Sequence, residues 1–415
     1  MFGLFTFAAG LLMASYAVDV NSLEQQRTLL QVAADSVAHD ALVTRELGTE
    51  AQALNAAMTR ATAMMNLETY GAVLHPQDVV FGTWDTTTKK FTVQPGSRKA
   101  VQVVMRRTTA NDNAIATFLM KMVGINQWDV VVRSTFATYQ PMCLREGFVA
   151  EGIVDIQSNN TYLRRFCIHS NTYVKLSSNN TFEPGTVVSM PNLADLQLPN
   201  SGFTTNIGLA EALKAGSQNI RVLRRIKKII NTISDPTSSY YPTFLTNPTP
   251  VVLTLGTINA TNLQSGRIYQ WNCNSGNGGT ISNGTIIKNV VIIANCDVKL
   301  GNGTAMEDSV LLTTSTSANS INSPNGFRLG MDDGCSKGGG GRIVTMGGMN
   351  FAADLAIYGS QLMAMKTVSF AAKADGIEGA SIISNGAISG TSNMSMSYCG
   401  SGMDEFTADY FQLVD

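Results

Sequence analysis

Beyond residue 141 the chain consists of short β-type runs separated by turn residues, and this texture constrains the fold more than any other feature. Asn, Gly and Ser stand between the runs at close but irregular spacing. Short strands separated by such turn residues are typical of solenoids, in which the backbone of each coil stacks on that of the next. The runs lie at residues 165–169, 172–176, 186–190, 286–287, 290–293, 296–300, 310–312, 342–345, 367–370 and 381–383.

The fold class that this texture predicts is a mainly-β region, with a right-handed parallel β-helix as the first choice. A β-sandwich is the alternative, because no strict repeat length is visible. The β-rich texture covers residues 141–205 and 251–415. Between them, residues 206–250 are predicted to be a helical insertion and linker, since residues 209–233 have helical periodicity.

The chain opens with a strongly apolar segment. Its first eighteen residues carry no charge, and a helix continued to Val20 would be ~30 Å long, about the thickness of the hydrocarbon layer. This predicts a transmembrane anchor at residues 1–20. A secretory signal is the rival, because Ser15 and Ala17 are small residues at cleavage-site spacing. The first positively charged residue is Arg27, so the distribution of positive charge predicts no orientation of the segment in a membrane. The basic residues expected before a membrane segment are missing, as they would be if the start of the chain were shortened.

Residues 21–65 are predicted to form a helical stalk or hairpin. Leu23, Leu30 and Val37 lie seven residues apart, with Ala34 and Ala41 in the same stripe, so one helix face is expected to be covered. Thr49 and Gln52 have the spacing of a capping box, which predicts the start of a second helix. Flexible methionines and alanines on that helix favour packing over cofactor binding.

Residues 66–140 are predicted to be a small α+β module. Long helices followed by a small antiparallel sheet favour a two-layer packing, because each layer buries the apolar face of the other. The pattern predicts strands at residues 79–84, 91–93, 101–106 and 128–138, and a helix at residues 115–123.

All six cysteines lie beyond residue 142, and their even number favours disulfides in an oxidising compartment. Cys143 with Cys167 is the first pair to test, but six cysteines permit 15 pairings and the sequence does not choose among them. The chain has no CxxC motif and its three histidines are far apart, so neither a metal site nor a cofactor is predicted. The disulfide candidates are Cys143, Cys167, Cys273, Cys296, Cys335 and Cys399.

The charge balance excludes a protein-wide nucleic-acid surface. With 29 Lys and Arg against 30 Asp and Glu, the chain lacks the cationic excess that phosphate neutralisation requires. One cluster is basic and predicts an amphipathic helix that lies on anionic lipid, docks a partner, or serves as a solvated connector. Its members are Arg221, Arg224, Arg225, Lys227 and Lys228.

Nothing in the sequence indicates catalysis. No GxSxG motif occurs, and no histidine stands in a motif with Ser or Cys. Residues 251–415 hold eight basic and twelve acidic residues, scattered mostly singly. Asp332 and Asp333 precede a glycine but lack the spaced acidic ligands of a calcium loop. We therefore predict that the chain is not an enzyme.

The N-terminal third carries a set of residues that resembles a known family. They are Ala17-Val18-Asp19-Val20, then Glu24, Gln25, Arg27, Leu30-Gln31, Ala33-Ala34-Asp35 and Ala38, followed by residues 78–84, 101–107 and 118–124. Over about residues 1–140 the chain resembles the TadG-like pilus-assembly proteins of the tight-adherence (Flp) system. The Asp-x-Ser-x-Ser motif of family members with a von Willebrand type A domain is absent from the sequence, so no metal-dependent adhesion site is carried over.

This resemblance implies a single-pass protein of the bacterial inner membrane, with a C-terminal part in the periplasm or at the cell surface. It would help to build or anchor an adhesive pilus, with other pilus-assembly or minor pilin-like proteins as partners. The partner-contact candidates on the first helix are Glu24, Gln25, Arg27, Gln31 and Asp35. The alternative function is a surface adhesin or carbohydrate-binding β-helix that takes a surface glycan.

Overall fold

A computed structural model describes residues 2–273, 278–390, 392–400, 403 and 405–415. The chain divides into two compact units. The first comprises Met1–Tyr139 with Asp409–Asp415, and the second comprises Gln140–Ala408.

The first unit begins with three helices, α1 (Phe2–Leu47), α2 (Glu50–Met64) and α3 (Leu67–Tyr70). The predicted capping box is confirmed, because the Thr49 hydroxyl accepts the Gln52 amide and the Gln52 side chain accepts the Thr49 amide. On the predicted stripe of α1, Leu30, Ala34, Val37 and Ala41 are fully buried, and Leu23 is half-buried. The apolar opening forms the start of α1. In the part of the chain that the structure describes, no helix has both the length and the apolar character needed to cross a membrane.

An antiparallel sheet packs against α1. Four of its strands, β1, β2, β3 and β6, confirm the predicted pattern. Their order within the sheet is β2-β1-β3-β6. The two shortest strands, β4 and β5, pair separately as a hairpin. The strands are β1 (Val79–Asp85), β2 (Lys90–Val93), β3 (Ala100–Arg107), β4 (Ile115–Ala116), β5 (Gln127–Trp128) and β6 (Val130–Tyr139).

The helix predicted at residues 115–123 is wrong. The chain there forms β4 and then a single 3-10 turn, Met120–Val123. The Asp19 carboxylate accepts the amides of Phe118, Leu119 and Met120, and the Thr117 amide donates to Asn126. These donors are therefore unavailable for an α-helix.

The second unit is built of parallel strands. Among the described residues, every strand pairing that the structure gives in this unit is parallel, whereas the strands of a β-sandwich are antiparallel. The strands are β7 (Gly147–Ala150), β8 (Val154–Ile156), β9 (Thr161–Tyr162), β10 (Cys167–Ser170), β11 (Val174–Leu176), β12 (Asn180–Phe182), β13 (Val187–Met190), β14 (Asn206–Ile207), β15 (Leu213–Ala215), β16 (Val251–Leu253), β17 (Thr257–Ile258), β18 (Arg267–Trp271), β19 (Gly279–Ile281), β20 (Ile286–Lys288), β21 (Val290–Ala294), β22 (Val298–Leu300), β23 (Ala305–Glu307), β24 (Ser309–Thr313), β25 (Ile321–Ser323), β26 (Arg328–Leu329), β27 (Gly341–Thr345), β28 (Met349–Ala364), β29 (Val368–Ser384), β30 (Ile388–Gly390) and β31 (Ser395–Ser397).

Three successive strands make one coil, and each strand pairs with its counterpart in the next coil. Thus β7, β8 and β9 pair with β10, β11 and β12, and β21, β22 and β23 pair with β24, β25 and β26. The first coil also pairs on its other side with β29, β30 and β31. The chain therefore enters the stack of coils in its middle, at β7, and the following coils extend the stack to one end. The later coils begin at the opposite end and lead back to the middle, where β29, β30 and β31 pair with the first coil.

Inside the coils runs a ladder of buried asparagines. The Asn180 carbonyl oxygen accepts the backbone and side-chain N–H groups of Asn160, each at 3.0 Å, and its amide donates to Asn206 at 3.0 Å. Asn160 in turn accepts the Met394 amide from the neighbouring coil. The ladder satisfies polar groups in an otherwise apolar interior.

The segment at residues 209–233, predicted to be helical, is helical only in part. The chain forms α4 (Leu209–Ala212), then β15, then a 3-10 turn and α5 (Ile226–Thr232). Residues 213–215 extend the stack because they pair with β13 in parallel, which excludes helix there. The apolar side of α5 is buried, and α5 packs against β27.

The last strand, β32 (Tyr410–Leu413), returns to the first unit. It pairs antiparallel with β6 and completes the five-stranded sheet. The final residues were predicted to belong to the second β-rich region. They instead cover the open edge of β6, whose free N–H and C=O groups favour pairing with another strand.

Candidate ligand-binding groove

A column of tight turns lies on one face of the second unit, which we call the β-unit. Gly284, Gly303 and Gly326 each adopt a left-handed conformation two residues before aligned positions of β20, β23 and β26. In the next coil the equivalent place is held by Asp354, at φ 51°. Glycine accepts this conformation without steric cost, whereas a side chain is strained there. Asp354 is thus a carboxylate at a position otherwise held by glycine.

These turns form the floor of an open groove of about 590 Å³. The lining combines small residues with the longer side chains of Arg328, Asp332, Asp354 and Tyr358. Four aligned coils at a spacing of ~4.8 Å give the groove an extended form. Its lining residues are Gly284, Ile286, Gly303, Ala305, Gly326, Phe327, Arg328, Asp332, Asp354, Ala356 and Tyr358.

Arg328, one of the lining residues, belongs to an ion-pair triad with Glu307 and Lys288. Glu307 is buried between Lys288, at 2.6 Å, and the Arg328 guanidinium, which donates to its other oxygen. Burial raises the pKa of Glu307, but the two cations outweigh it and hold the pKa below its usual value. The Arg328 guanidinium donates to Glu307 and also to the Gly330 carbonyl, and these two contacts hold it at the groove.

The other polar group of the groove is formed by Tyr358 and Asp332. Burial raises the pKa of the Tyr358 phenol, and the charge and hydrogen bonding of Asp332 raise it further. The tyrosine therefore stays protonated and presents an O–H beside a carboxylate.

The groove thus combines features suited to a neutral, hydroxyl-rich ligand. Carboxylates accept hydrogen bonds from hydroxyl groups, a guanidinium donates hydrogen bonds to hydroxyl oxygens, and a tyrosine ring offers an apolar face with a polar edge. Ile286, about half exposed, adds apolar surface.

The predicted disulfide candidates are all paired. Cys143–Cys167 is confirmed, and the other two bonds are Cys273–Cys296 and Cys335–Cys399. Cys335 lies between β26 and β27, in the segment that supplies Asp332 to the groove. The third bond therefore tethers this segment to the end of β31.

The described residues contain one group with metal-ligand proximity, and it is formed by Cys335, Cys399 and Glu378. The two cysteines are bonded to each other and offer no thiolate. Asp333 accepts the Ser336 amide in a local turn.

The partner-contact candidates on α1 divide into two sets. Glu24, Gln25 and Arg27 are exposed. The Gln31 amide donates to Asp35 at 2.8 Å and to the Arg133 carbonyl at 3.0 Å, so these two candidates take part in packing within the unit.

The basic candidates also divide. Arg224, Lys227 and Lys228 are exposed, opposite the buried Ile226, Ile229 and Ile230. Arg221 and Arg225 are half-buried. The predicted amphipathic character is therefore present in a much shorter helix.

A second polar cluster surrounds His169. The histidine is fully buried on β10, 2.7 Å from the Ser189 hydroxyl and 2.9 Å from the Asn171 carbonyl oxygen. The Asn171 amide donates to Glu151 and to the Gln218 carbonyl. Burial lowers the pKa of His169, so the ring is neutral and links β10 to the insertion.

The groove residues were missed from the sequence because charges in residues 251–415 are scattered singly. The coil registers bring them together: Ala305 aligns with Arg328 and Arg328 with Ala356. Each neighbour in the groove is thus one coil away in sequence, and local clustering is the wrong signal in a solenoid.

Comparison with known families bears on the same region. A family model described as "Domain of unknown function (DUF7867)" matches residues 147–400. The chain belongs to the DUF7867 family. The match spans the parallel strands and the groove, and residues 1–140 lie outside it. No curated protein and no solved structure matches the chain.

Proposed function

We propose that this DUF7867 chain is a non-enzymatic, exported assembly or anchoring component of a tight-adherence type pilus. In this proposal the N-terminal unit contacts other pilus-assembly or minor pilin-like proteins, and the β-unit lies in the periplasm or at the cell surface. The observation that carries it is the uncovered polar strip of α1, Glu24, Gln25 and Arg27. Among the described residues the structure gives these side chains no hydrogen bond or ion pair, whereas Leu30, Ala34 and Val37, further along the same helix, are fully buried.

The three disulfides support the exported location. Disulfides persist in oxidising compartments and are rare in the cytosol. The proposal includes attachment to the inner membrane through the apolar start of α1, residues 1–20.

Charge reversal on the strip tests the proposed assembly role. Glu24→Arg with Arg27→Glu keeps net charge and helix propensity but inverts the pattern that a partner would read. In a strain that lacks the native gene, we expect loss of surface pili by electron microscopy at unchanged protein level. Glu68→Arg, a charge reversal at an exposed position on α3, is the control for a change of surface charge outside the strip. Normal piliation in the double variant would overturn the role of the strip.

The groove supports a second candidate, a surface adhesin that binds a glycan. Asp354→Gly is the sharpest probe, because glycine occupies the same left-handed turn in three neighbouring coils and the backbone will be retained. Tyr358→Phe removes only the hydroxyl. We expect each variant to weaken glycan binding about fivefold in calorimetry, since a lost hydrogen bond typically costs about 1 kcal/mol.

The two candidates predict different phenotypes. If the groove binds the attachment target, Asp354→Gly will keep pili and lose cell attachment. If the β-unit serves only in assembly, the same variant will leave attachment unchanged. Glycan cleavage by the intact protein would contradict the non-enzymatic assignment.

The finer fold assignment belongs to the same proposal. We propose that the β-unit is a right-handed parallel β-helix, because crossover connections between parallel strands are right-handed in nearly all known cases. Parallel pairing of each strand with its counterpart one coil away supports this assignment.

A further inference from the structure

The tip of the β4–β5 hairpin, residues 117–126, exposes an unusual amount of apolar surface. Met122 is 81% exposed and Phe118 is 61% exposed. Large apolar side chains scattered singly are common on protein surfaces, but a contiguous set marks an interaction site. The exposed apolar residues of the tip are Phe118, Leu119, Met122, Val123 and Ile125.

The hairpin tip is held rigidly on α1. Asp19 is almost fully buried and accepts three consecutive amides, those of Phe118 at 2.7 Å, Leu119 at 2.9 Å and Met120 at 2.6 Å. The Thr117 hydroxyl closes the base of the tip by donating to the Ile125 carbonyl at 2.6 Å.

The attachment point lies at the boundary of the apolar start of α1. Asp19 directly follows the eighteen residues that carry no charge. Met13, Tyr16 and Val18, in the turns before it, are more than half exposed. Two uncovered apolar surfaces, one on the helix and one on the hairpin, thus meet at a single carboxylate.

The charge of the tip favours lipid as the occupant. Residues 117–126 contain one charged side chain, the exposed Lys121, and no acidic residue. Apolar side chains beside a cation suit the boundary between acyl chains and anionic headgroups. The Asp19 carboxylate is buried, and its charge is stabilised by three amide donors, so it is not presented to the lipid surface.

We propose that the hairpin tip and the adjacent start of α1 together form a membrane-binding foot that inserts into the surface of an anionic lipid bilayer. The tip enters the region of the headgroups and upper acyl chains, with Lys121 at the phosphates. This inference rests on the membrane attachment proposed for residues 1–20 and extends it to the hairpin tip, but it does not require a pilus partner.

Fluorescence locates the tip directly. Met122→Trp is prepared in the full chain and mixed with vesicles of phosphatidylcholine and phosphatidylglycerol whose acyl chains are brominated. We expect a blue shift and quenching of the added tryptophan. Val93→Trp, at an exposed apolar position on β2, is the control and should be neither shifted nor quenched. Equal spectra for the two variants, with vesicles bound, would overturn the proposal.

A partition measurement separates the tip from the helix. Met122→Ser with Val123→Ser should lower vesicle affinity about tenfold or more, because each apolar side chain contributes roughly a tenfold factor when buried. Val93→Ser should have no effect. A foot that instead binds a second copy of the chain would shift Met122→Trp emission with protein concentration in the absence of vesicles, and this result would also refute lipid binding.

Discussion

Replacing Asn180 by alanine tests whether the asparagine ladder stabilises the coils. The side chain is fully buried and makes four hydrogen bonds: it accepts two from Asn160, and it donates to the Ser177 carbonyl at 2.9 Å and to Asn206 at 3.0 Å. Alanine leaves these buried partners unsatisfied, at about 1–3 kcal/mol for each group that finds no water. We expect the free energy of unfolding to fall by about 3–6 kcal/mol.

The neighbouring Asn179 gives a matched control. It is exposed and adopts a left-handed conformation at φ 61°, which glycine accepts freely. Asn179→Gly should therefore change the free energy of unfolding by less than about 0.5 kcal/mol.

Urea unfolding of the full chain with its disulfides intact, followed by circular dichroism, measures both variants. The slope against urea should be unchanged, so that the midpoint reports stability. A loss below about 1 kcal/mol for Asn180→Ala, or equal losses for the two variants, would show that the ladder contributes little and refute the reasoning.

Three further predictions concern charge and covalent tethers. Burial and the neighbouring Glu146 raise the pKa of Glu405 well above its usual value, so its stabilising contribution is present at low pH and is lost as pH rises through the raised pKa. Glu405→Gln should therefore increase the free energy of unfolding at pH 7 to 8 and change it little at pH 4, and a variant equally stabilised at both pH values would contradict this. The pKa of Glu307 is lowered, so its contribution is present above about pH 4.3 and is lost on acidification. Glu307→Gln should destabilise at pH 7, with the difference from the native chain vanishing near pH 3 in urea titrations. Cys335→Ser with Cys399→Ser opens a bond spanning 64 residues, which should lower the free energy of unfolding by up to about 4 kcal/mol. Unchanged unfolding of that variant would mean that the bond only positions the segment of Asp332.

The first unit was largely predictable because its signals are local. Heptad spacing on α1, the capping box of Thr49 and Gln52, and alternation in the strands each depend on residues close in sequence. The prediction failed at residues 115–123, where Asp19, about 100 residues away, takes the backbone donors. Such a long-range carboxylate has no periodic signature.

The β-unit was predictable in class but not in register. Residues 158–162 and 178–182 read SNNTY and SNNTF, and their ladder contact joins positions 20 residues apart. This repeat is a coil length, but insertions obscure it elsewhere: the segment between β26 and β27 lengthens one coil greatly. Because the groove forms across coils, its residues could not be assembled without the register.

The path of the chain explains how the β-unit can be inserted in sequence between β6 and β32, two strands of the sheet in the first unit. The chain leaves the first unit at the end of β6 and returns at β32, and Tyr139 pairs with Tyr410 across these strands. A solenoid wound in simple sequence order would leave its ends at opposite ends of the stack. Here the first coil, β7 to β9, pairs with the last, β29 to β31, so that entry and exit lie in neighbouring coils. Adjacent ends are what an inserted unit requires. The segment at residues 216–250 that carries α5 follows from the same constraint, because the chain needs a connection from one end of the stack to the other before it can wind back.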